Sequence, residues 1–324
     1  MAEIQNVAAK QKVIVVGCGV SGLTCAIRLC EAGYPVEIWA REVPPDTTSN
    51  IAGAIWYPYL AQPQELVARW SAVGYAEFHR LAAQPGIGVA VRHCLEILQA
   101  PVGDPWWSTL VSSYRRATPA ELPAGYLDGY VYTAPTIDTP VYLSYLVGRF
   151  EGLGGRICRR NLKHAAEAFP SAPIVVNCSG LGARELVGDR TIYAIQGQTV
   201  EVSRMGIDSV LFDQHGPRGL AHVIPRATTC ILGGTHVDRA EGTEPDPEVE
   251  KSILQRCAAL EPRLRGAAVL SSRVGLRPGR PTVRLEAERW PGANLLVHNY
   301  GHGGAGVTLS WGCAADVVGL IENR

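Results

Sequence analysis

A glycine-rich turn between a strand and a helix constrains this chain more than any other feature. Gly17-Cys18-Gly19-Val20-Ser21-Gly22 follows the apolar run Lys12 to Val16 and opens the helical pattern Val20, Leu23, Ile27, Cys30, which stops at Gly33. In this spacing the first glycine permits a tight turn, the second lets a pyrophosphate approach the backbone, and the third lets the helix pack on the strand. The unpaired N–H groups and the dipole of the helix then face the anion. Val36 to Ala40 reads as a second strand one helix later, so residues 12–40 form a right-handed βαβ unit. A dinucleotide is the expected ligand, held where Gly17, Gly19, Val20, Ser21 and Gly22 meet.

The rest of the chain leaves this unit twice and returns. A helical stretch from Glu65 to Ala83 gives way to short strands and turns punctuated by Pro85, Pro101, Pro105, Pro119, Pro123 and Pro135. Thr139 to Leu153 reads as a helix with Pro140 in its first turn, and Pro173 to Cys178 as a fully apolar strand running into Ser179-Gly-Leu-Gly182. Strands at Gln198 to Val202 and Cys230 to Leu232, with a helix from Pro247 to Ala259, form a second excursion. Asn294 to His298 then leads through Gly301-His-Gly-Gly-Ala-Gly306 into a final amphipathic helix, Thr308 to Glu322. The expected fold class is α/β: a Rossmann-like dinucleotide domain (1–61, 137–192 and 294–324) interleaved with an α+β substrate domain on an antiparallel or mixed sheet (62–136 and 193–293). The ligand site is expected in the cleft between them.

Composition excludes several classes of partner. Among 324 residues, 47% apolar, thirty basic and thirty acidic side chains give a formal net charge of zero, with no long run of either sign. There is no electrostatic footprint for nucleic acid or an anionic membrane, and no apolar stretch approaches the roughly 20 residues of a transmembrane helix. The first ten residues lack the order of charge, apolar centre and small residues of a secretory signal, and Glu322-Asn323-Arg324 is not a peroxisomal address, so a cytoplasmic location is expected. Nine cysteines in no metal-ligand spacing sit mostly in apolar segments and read as buried thiols. No HExxH pair or GxSxG turn supports metal or covalent catalysis.

The end of the second strand leaves the cofactor open. An NAD site normally carries Asp or Glu there, but this chain has Ala40, then Arg41 and Glu42, so either a 2′-phosphate on Arg41 or a ribose contact from Glu42 fits. The following stretch, Pro44 to Tyr59, offers the hydroxyls of Thr47, Thr48 and Ser49 and then a small-residue segment where backbone can lie flat against a ring. Here the chain resembles the D-amino acid oxidases. The resemblance recurs at Val176-Asn-Cys-Ser-Gly-Leu-Gly182, at Gly275-Leu-Arg-Pro-Gly-Arg-Pro-Thr-Val-Arg-Leu-Glu286 and at His298-Asn-Tyr-Gly-His-Gly-Gly-Ala-Gly-Val-Thr-Leu-Ser-Trp-Gly312, and covers essentially the whole chain.

The resemblance implies FAD. Its adenine end would lie on Gly17, Gly19, Gly22, Arg41 and Glu42, meeting the Leu162 backbone, with the pyrophosphate near Thr47, Thr48, Ser49, Ser179 and Gly180. The flavin would lie against Ala52, Gly53, Ala54 and Ile55, its pyrimidine edge surrounded by Gly303, Gly304, Gly306, Val307 and Thr308, where the last helix directs its dipole. For substrate, the resemblance is read as placing the carboxylate on Arg284, although an arginine in an alternating strand is more often a solvated face. Arg277 and Arg280 read as structural or surface residues. Gly304 would take the amine on its carbonyl, while Tyr57 and Tyr59 would face the side chain. His222 stands where the family usually has a tyrosine, and if protonated would add positive charge and favour acidic substrates; His236 stands where the related D-aspartate oxidases carry an arginine. Ala305, in place of a frequent tyrosine, would open the wall.

The implied reaction is oxidative deamination of a neutral D-amino acid by hydride transfer to flavin N5, with O₂ as acceptor and a 2-oxo acid, ammonia and hydrogen peroxide as products. D-Aspartate oxidation is the alternative within the family. An NADP-dependent dehydrogenase and a non-catalytic flavoprotein are the alternatives outside it. A homodimer is left open.

Overall fold

The computed structural model describes residues 10–324 apart from 215, 217 and 218. The reading of the chain's first residues as lacking a signal falls on 1–9, outside the described residues. Two sheets organise the chain. The first has six strands in the order Arg284–Trp290, Asn294–Tyr300, Ile174–Asn177, Val13–Val16, Val36–Ala40, Arg156–Arg159. All its pairings are parallel except the one between Arg284–Trp290 and Asn294–Tyr300. The four residues of Val13–Val16 and of Ile174–Asn177 are buried throughout, which is why these strands read as unbroken apolar runs rather than alternating ones.

The second sheet is mixed and larger, with Tyr193–Ser203, Thr229–Gly233, Ala221–Pro225, Val210–Asp213, Val89–Leu98 and Asp128–Ile137 as successive neighbours. Only Val210–Asp213 against Val89–Leu98 is parallel within that run. Val269–Gly279 pairs along the full length of Tyr193–Ser203. The expected division ends the second domain at 293, but Arg284–Trp290 belongs to the first sheet; conversely Ala54–Ile55, placed in the first domain, pairs with Thr136 and Ile137 in the second sheet. The chain crosses between sheets near 53 and near 280, both beside the cavity described below.

The helices form where the sequence provides starts. Asp246 accepts hydrogen bonds from the N–H groups of Glu248 (2.8 Å) and Val249 (3.4 Å), with Pro247 in the first turn of Pro247–Leu260. Thr139–Gly152 also carries its proline in the first turn. The helices Val20–Glu31 and Gly306–Glu322 pack on the first sheet and on each other, Thr139–Gly152 lies against Val20–Glu31, and Gln64–Ala82 bridges Gly306–Glu322 to Val89–Leu98 and Asp128–Ile137 of the second sheet. Trp311 is buried, and its indole N–H donates to the Tyr142 hydroxyl at 2.8 Å. All nine cysteines are free thiols, mostly buried. Among the described residues no helix is long and apolar enough to cross a membrane, and no group of three His, Cys, Asp or Glu is placed to hold a metal ion.

Two glycines set the crossing of the last helix. A Cβ on Gly74 would stand 2.1 Å from the Thr308 carbonyl oxygen, and one on Gly312 would stand 2.4 Å from the Trp70 Cα. Backbone rather than a movable side chain would be struck, so the helices Gln64–Ala82 and Gly306–Glu322 would have to separate. Gly312→Ala should therefore destabilise the protein by about 1–3 kcal/mol, read as a lower denaturant midpoint at unchanged slope.

Candidate active site

One cavity of about 990 Å³ runs between the two sheets, long enough to take a dinucleotide and a small substrate. At one end the turn after Val13–Val16 is held by contacts that exclude side chains. Gly17 adopts φ +111° and a Cβ there would lie 2.4 Å from the Cys178 carbonyl oxygen, while one on Gly22 would lie 1.9 Å from the carbonyl oxygen of Gly17 itself. Gly19 differs: its missing Cβ would meet only Ser49 Oγ at 3.0 Å, so its bare backbone faces the cavity. Ser49 Oγ accepts from the Val20 N–H at 3.1 Å, joining the Thr48–Ile51 turn to the helix N-terminus.

The structure brings nearly all the expected cofactor residues onto this one cavity: Gly17, Gly19, Val20, Ser21, Arg41, Glu42, Thr47, Thr48, Ser49, Gly53, Ala54, Ile55, Leu162, Ser179, Gly180, Gly303, Gly304, Gly306 and Val307. Arg41 and Glu42 pair with each other at the exposed end, Nε to Oε1 at 3.0 Å. Ser179 donates to Asn177 Oδ1 at 2.6 Å, which fixes the loop after Ile174–Asn177. Two expected residues do not line the cavity. Gly22 lies behind the turn, in contact with Gly17. Thr308 is buried, and its hydroxyl accepts from the Tyr57 N–H at 3.0 Å and reaches the Tyr57 carbonyl at 3.0 Å, so it holds a wall residue instead of the ligand.

The helix Gly306–Glu322 begins at the cavity with no side-chain cap and no acidic residue in its first turn. Its first N–H groups have no partner within the helix and carry the positive end of the dipole. A Cβ on Gly306 would meet only His302 Cβ, at 3.7 Å, so glycine leaves cavity space there. Glycine N–H groups at both ends, an uncapped helix start and the hydroxyls between them form an acceptor-poor, donor-rich cradle. That chemistry fits an FAD pyrophosphate at one end and an electron-accepting flavin edge at the other.

At the opposite side of the cavity the structure corrects the sequence reading. Arg284 does not line it. Its guanidinium is taken by Glu286 (Nε to Oε1, 2.7 Å), by Glu288, and by the Tyr300 hydroxyl (2.8 Å), on the edge strand of the first sheet. Three of its five N–H groups are taken in this way, on a strand away from the cavity lining. Arg277, expected to be structural, is on the cavity wall. It lies flat over Gly197, where a Cβ would be 2.2 Å from Nη1, and makes a hydrogen bond only to the Thr235 carbonyl (3.3 Å). Among the described residues it has no acidic partner, and burial lowers its pKa while leaving it charged. Arg280 is structural, bound to Asp189 at 3.0 Å.

His222 is also on the wall, its ring laid over Gly233, where a Cβ would stand 1.8 Å from Nε2. Burial, with Arg277 and Arg256 nearby, holds its pKa down to about 3, so it is neutral at physiological pH and the positive charge that a protonated imidazole would bring is absent. Its Nε2 is buried against Gly233 and has no hydrogen-bond partner among the described residues. Tyr59 bonds His236 Nδ1 at 3.3 Å, and a Cβ on Gly304 would be 2.6 Å from the Tyr59 ring. Ala305 is fully buried in the helix packing and does not open the wall. Sequence reasoning passed over Gln214, Asn299 and His302, all on the cavity; His302 is buried, bonded to Asn299 Oδ1 at 2.9 Å, and held by burial at a pKa of about 4. Gln214 and His302 lie in loops and Asn299 near the end of the strand Asn294–Tyr300, and a lone polar residue in such places carries no periodic signal that would have found it.

Comparison with known proteins agrees with this geometry. Residues 12–320 match the family described as FAD dependent oxidoreductase. A D-amino-acid oxidase of Rubrobacter xylanophilus is 49% identical over 311 residues, covering 95% of each chain. The human D-aspartate oxidase is 35% identical over 325 residues, covering 96% of this chain and 94% of that one. Among solved structures, glycine oxidase from Geobacillus kaustophilus superposes with a TM-score of 0.80 at 18% identity, covering 97% and 96% of the two chains.

Because Gly306 lines the cavity and a Cβ there would make only an ordinary contact with His302, filling that space should displace ligand without unfolding the chain. Gly306→Val is expected to leave the thermal transition of the ligand-free protein nearly unchanged and to lower the flavin bound per chain, read from the flavin absorbance of purified protein.

Proposed function

The chain belongs to the FAD-dependent oxidoreductase family, and from that premise we propose that it oxidatively deaminates D-amino acids with Arg277 as the clamp for the substrate carboxylate. The observation that carries this reading is the state of that guanidinium: half-buried on the cavity wall, flat against Gly197, and without an acidic partner among the described residues. A charged fork left unpaired in a partly dry cleft is costly unless a ligand anion completes it. A planar carboxylate matches it with two parallel hydrogen bonds.

The remaining roles follow from what each group has free. The neutral His222 lines the cavity with its Nε2 buried against Gly233, which leaves Nδ1 as the ring nitrogen suited to donate one hydrogen bond to the carboxylate. The Gly304 carbonyl, beside Tyr59, would take the amine. Tyr57, Phe212, Leu220 and Ile224 wall the side-chain end, and their largely apolar faces suit neutral side chains. FAD, when bound, supplies the two-electron acceptor for the Cα–H and its reoxidation by O₂. The residues that would hold it are the glycines of the first turn, Thr47 and Thr48, the Gly53 to Ile55 segment, and the Gly306 helix start, whose dipole favours negative charge. The protein contributes position, water exclusion and charge; no side chain is asked to take a proton from Cα. The imino acid released hydrolyses to a 2-oxo acid and ammonia, and O₂ leaves as hydrogen peroxide. An NADP-dependent dehydrogenase has little support, since Arg41 is paired to Glu42 and exposed.

Two arginines on one sequence motif separate this reading from its competitor. Arg277→Ala should keep FAD bound and lower kcat/KM for D-alanine by about a hundredfold or more, roughly 3 kcal/mol for a lost bidentate charged partner. Arg284→Ala should leave KM within about twofold and lower stability instead. Peroxide assays and denaturant titrations of the two variants distinguish them; a reversed pattern would return the carboxylate to Arg284.

A further inference from the structure

Behind the wall of the cavity is a buried carboxyl that the chemistry above does not use. Glu96, in the strand Val89–Leu98, is 4% exposed and has no basic partner among the described residues. Among the described residues its oxygens are hydrogen-bonded by two side chains, and both of those line the cavity. Gln214 Nε2 lies 2.7 Å from Glu96 Oε1 and 2.7 Å from the Tyr57 hydroxyl oxygen, and that hydroxyl stands 3.3 and 3.4 Å from the two carboxylate oxygens. An ionised carboxylate only accepts, so the amide must turn its NH₂ inward. Both N–H groups of Gln214 are then committed, and its carbonyl oxygen, without a protein partner among the described residues, is what it has left for a ligand.

We propose that Glu96 is a specificity-determining residue for the oxidase reaction: through Tyr57 and Gln214 it makes the side-chain wall hydrogen-bond-accepting and anionic, admitting donor side chains such as a primary amide and rejecting carboxylates, increasingly so as pH rises. The inference rests on the proposed oxidase function and adds the basis of its choice among substrates. An unpaired carboxylate in this position costs stability that a leucine would not. Its retention beside two cavity-lining groups gives it a role in what the cavity accepts.

Burial pushes the Glu96 carboxyl up to about 7, against the opposing hydrogen bonds from Gln214 and Tyr57. Below that value the proton neutralises it and frees the Gln214 amide to reverse; above it the wall is anionic. The other titratable groups facing Glu96 are Tyr57, Cys94, Tyr130 and Tyr132, and burial raises all of them further from neutrality. Asp213, next to Gln214 in the chain, is turned onto Tyr126. Glu96 is thus the member of this group that titrates near neutral pH.

The isosteric pair D-glutamate and D-glutamine isolates the effect, because the α-amine, the α-carboxylate and the flavin contribute equally to both and cancel in the ratio of kcat/KM values. For the FAD-loaded wild-type enzyme, the D-glutamate to D-glutamine ratio should rise about tenfold from pH 8.5 to pH 6, the size expected of two like charges several ångströms apart at a partly buried site. The midpoint should lie near 7. Glu96→Gln should raise the ratio at pH 8.5 to the low-pH level and flatten its pH dependence, while D-alanine kinetics stay close to wild type. A flat wild-type ratio overturns the proposal without need of any variant, and so does a Glu96→Gln enzyme that keeps the wild-type slope. Failure of the flavin-loaded wild type to oxidise D-alanine would instead sink the oxidase reading, and this inference with it.

Discussion

The contact on which the site depends is the backbone packing of Gly17 against Cys178 and of Gly22 against Gly17. In each case a Cβ would fall 2.4 Å or less from a carbonyl oxygen, a separation no side chain can occupy. These approaches pull the ends of two adjacent parallel strands, Val13–Val16 and Ile174–Asn177, and the start of the helix Val20–Glu31 into one place. The helix is thereby forced to begin at the carboxyl edge of the sheet with its N–H groups directed into the cavity, where an anion is favoured. Ser49 meets the first of those N–H groups and anchors the next loop of the cradle to the same point.

The other wall is fixed from the far end of the chain by a similar economy of side chains. Gly74 and Gly312 let two helices approach backbone to backbone, and the helix Gly306–Glu322 can then reach the cavity with its uncapped start. Thr308, buried one turn in, bonds both the N–H and the carbonyl of Tyr57. The position of Tyr57 is therefore set by the last helix, and the last helix by its crossing with Gln64–Ala82. Packing in the core and geometry at the cavity are coupled through three residues.

The glycine turn, the βαβ start and the interleaving of two sheets were legible in the sequence, because each depends on local rules of turn, cap and periodicity; most other residues now found on the cavity were named there only through the family resemblance. The choice of arginine was not. Arg277 and Arg284 sit in one motif, but the strand that carries Arg277 ends at Gly279 and a new one starts at Arg284, with Pro281 in the break between them. The first strand, Val269–Gly279, pairs with Tyr193–Ser203 in the second sheet, and the other, Arg284–Trp290, pairs with Asn294–Tyr300 at the edge of the first sheet. Which arginine faces the cavity is decided by the sheet each strand joins, a long-range fact with no local signature. Glu96 was missed for a related reason: a charged residue in an alternating strand reads as solvated unless the strand's outer face is known to be covered.

The histidines show why a polar cavity need not be a highly charged one. His302 is buried and His222 half-buried on the cavity wall, and desolvation holds them at pKa values of about 4 and about 3. A protonated imidazole beside Arg277 would place two desolvated cations together, with the repulsion of like charges adding to the loss of hydration. Kept neutral, His222 can still offer a hydrogen bond while leaving the guanidinium as the source of charge at that end. With Glu96 behind the far wall, the cavity carries a cation where the α-carboxylate is proposed to bind and a carboxyl where the side chain would end. An amino acid laid between them is oriented by that asymmetry before any contact with the flavin, so one binding event sets both which end is held and which side chains are tolerated.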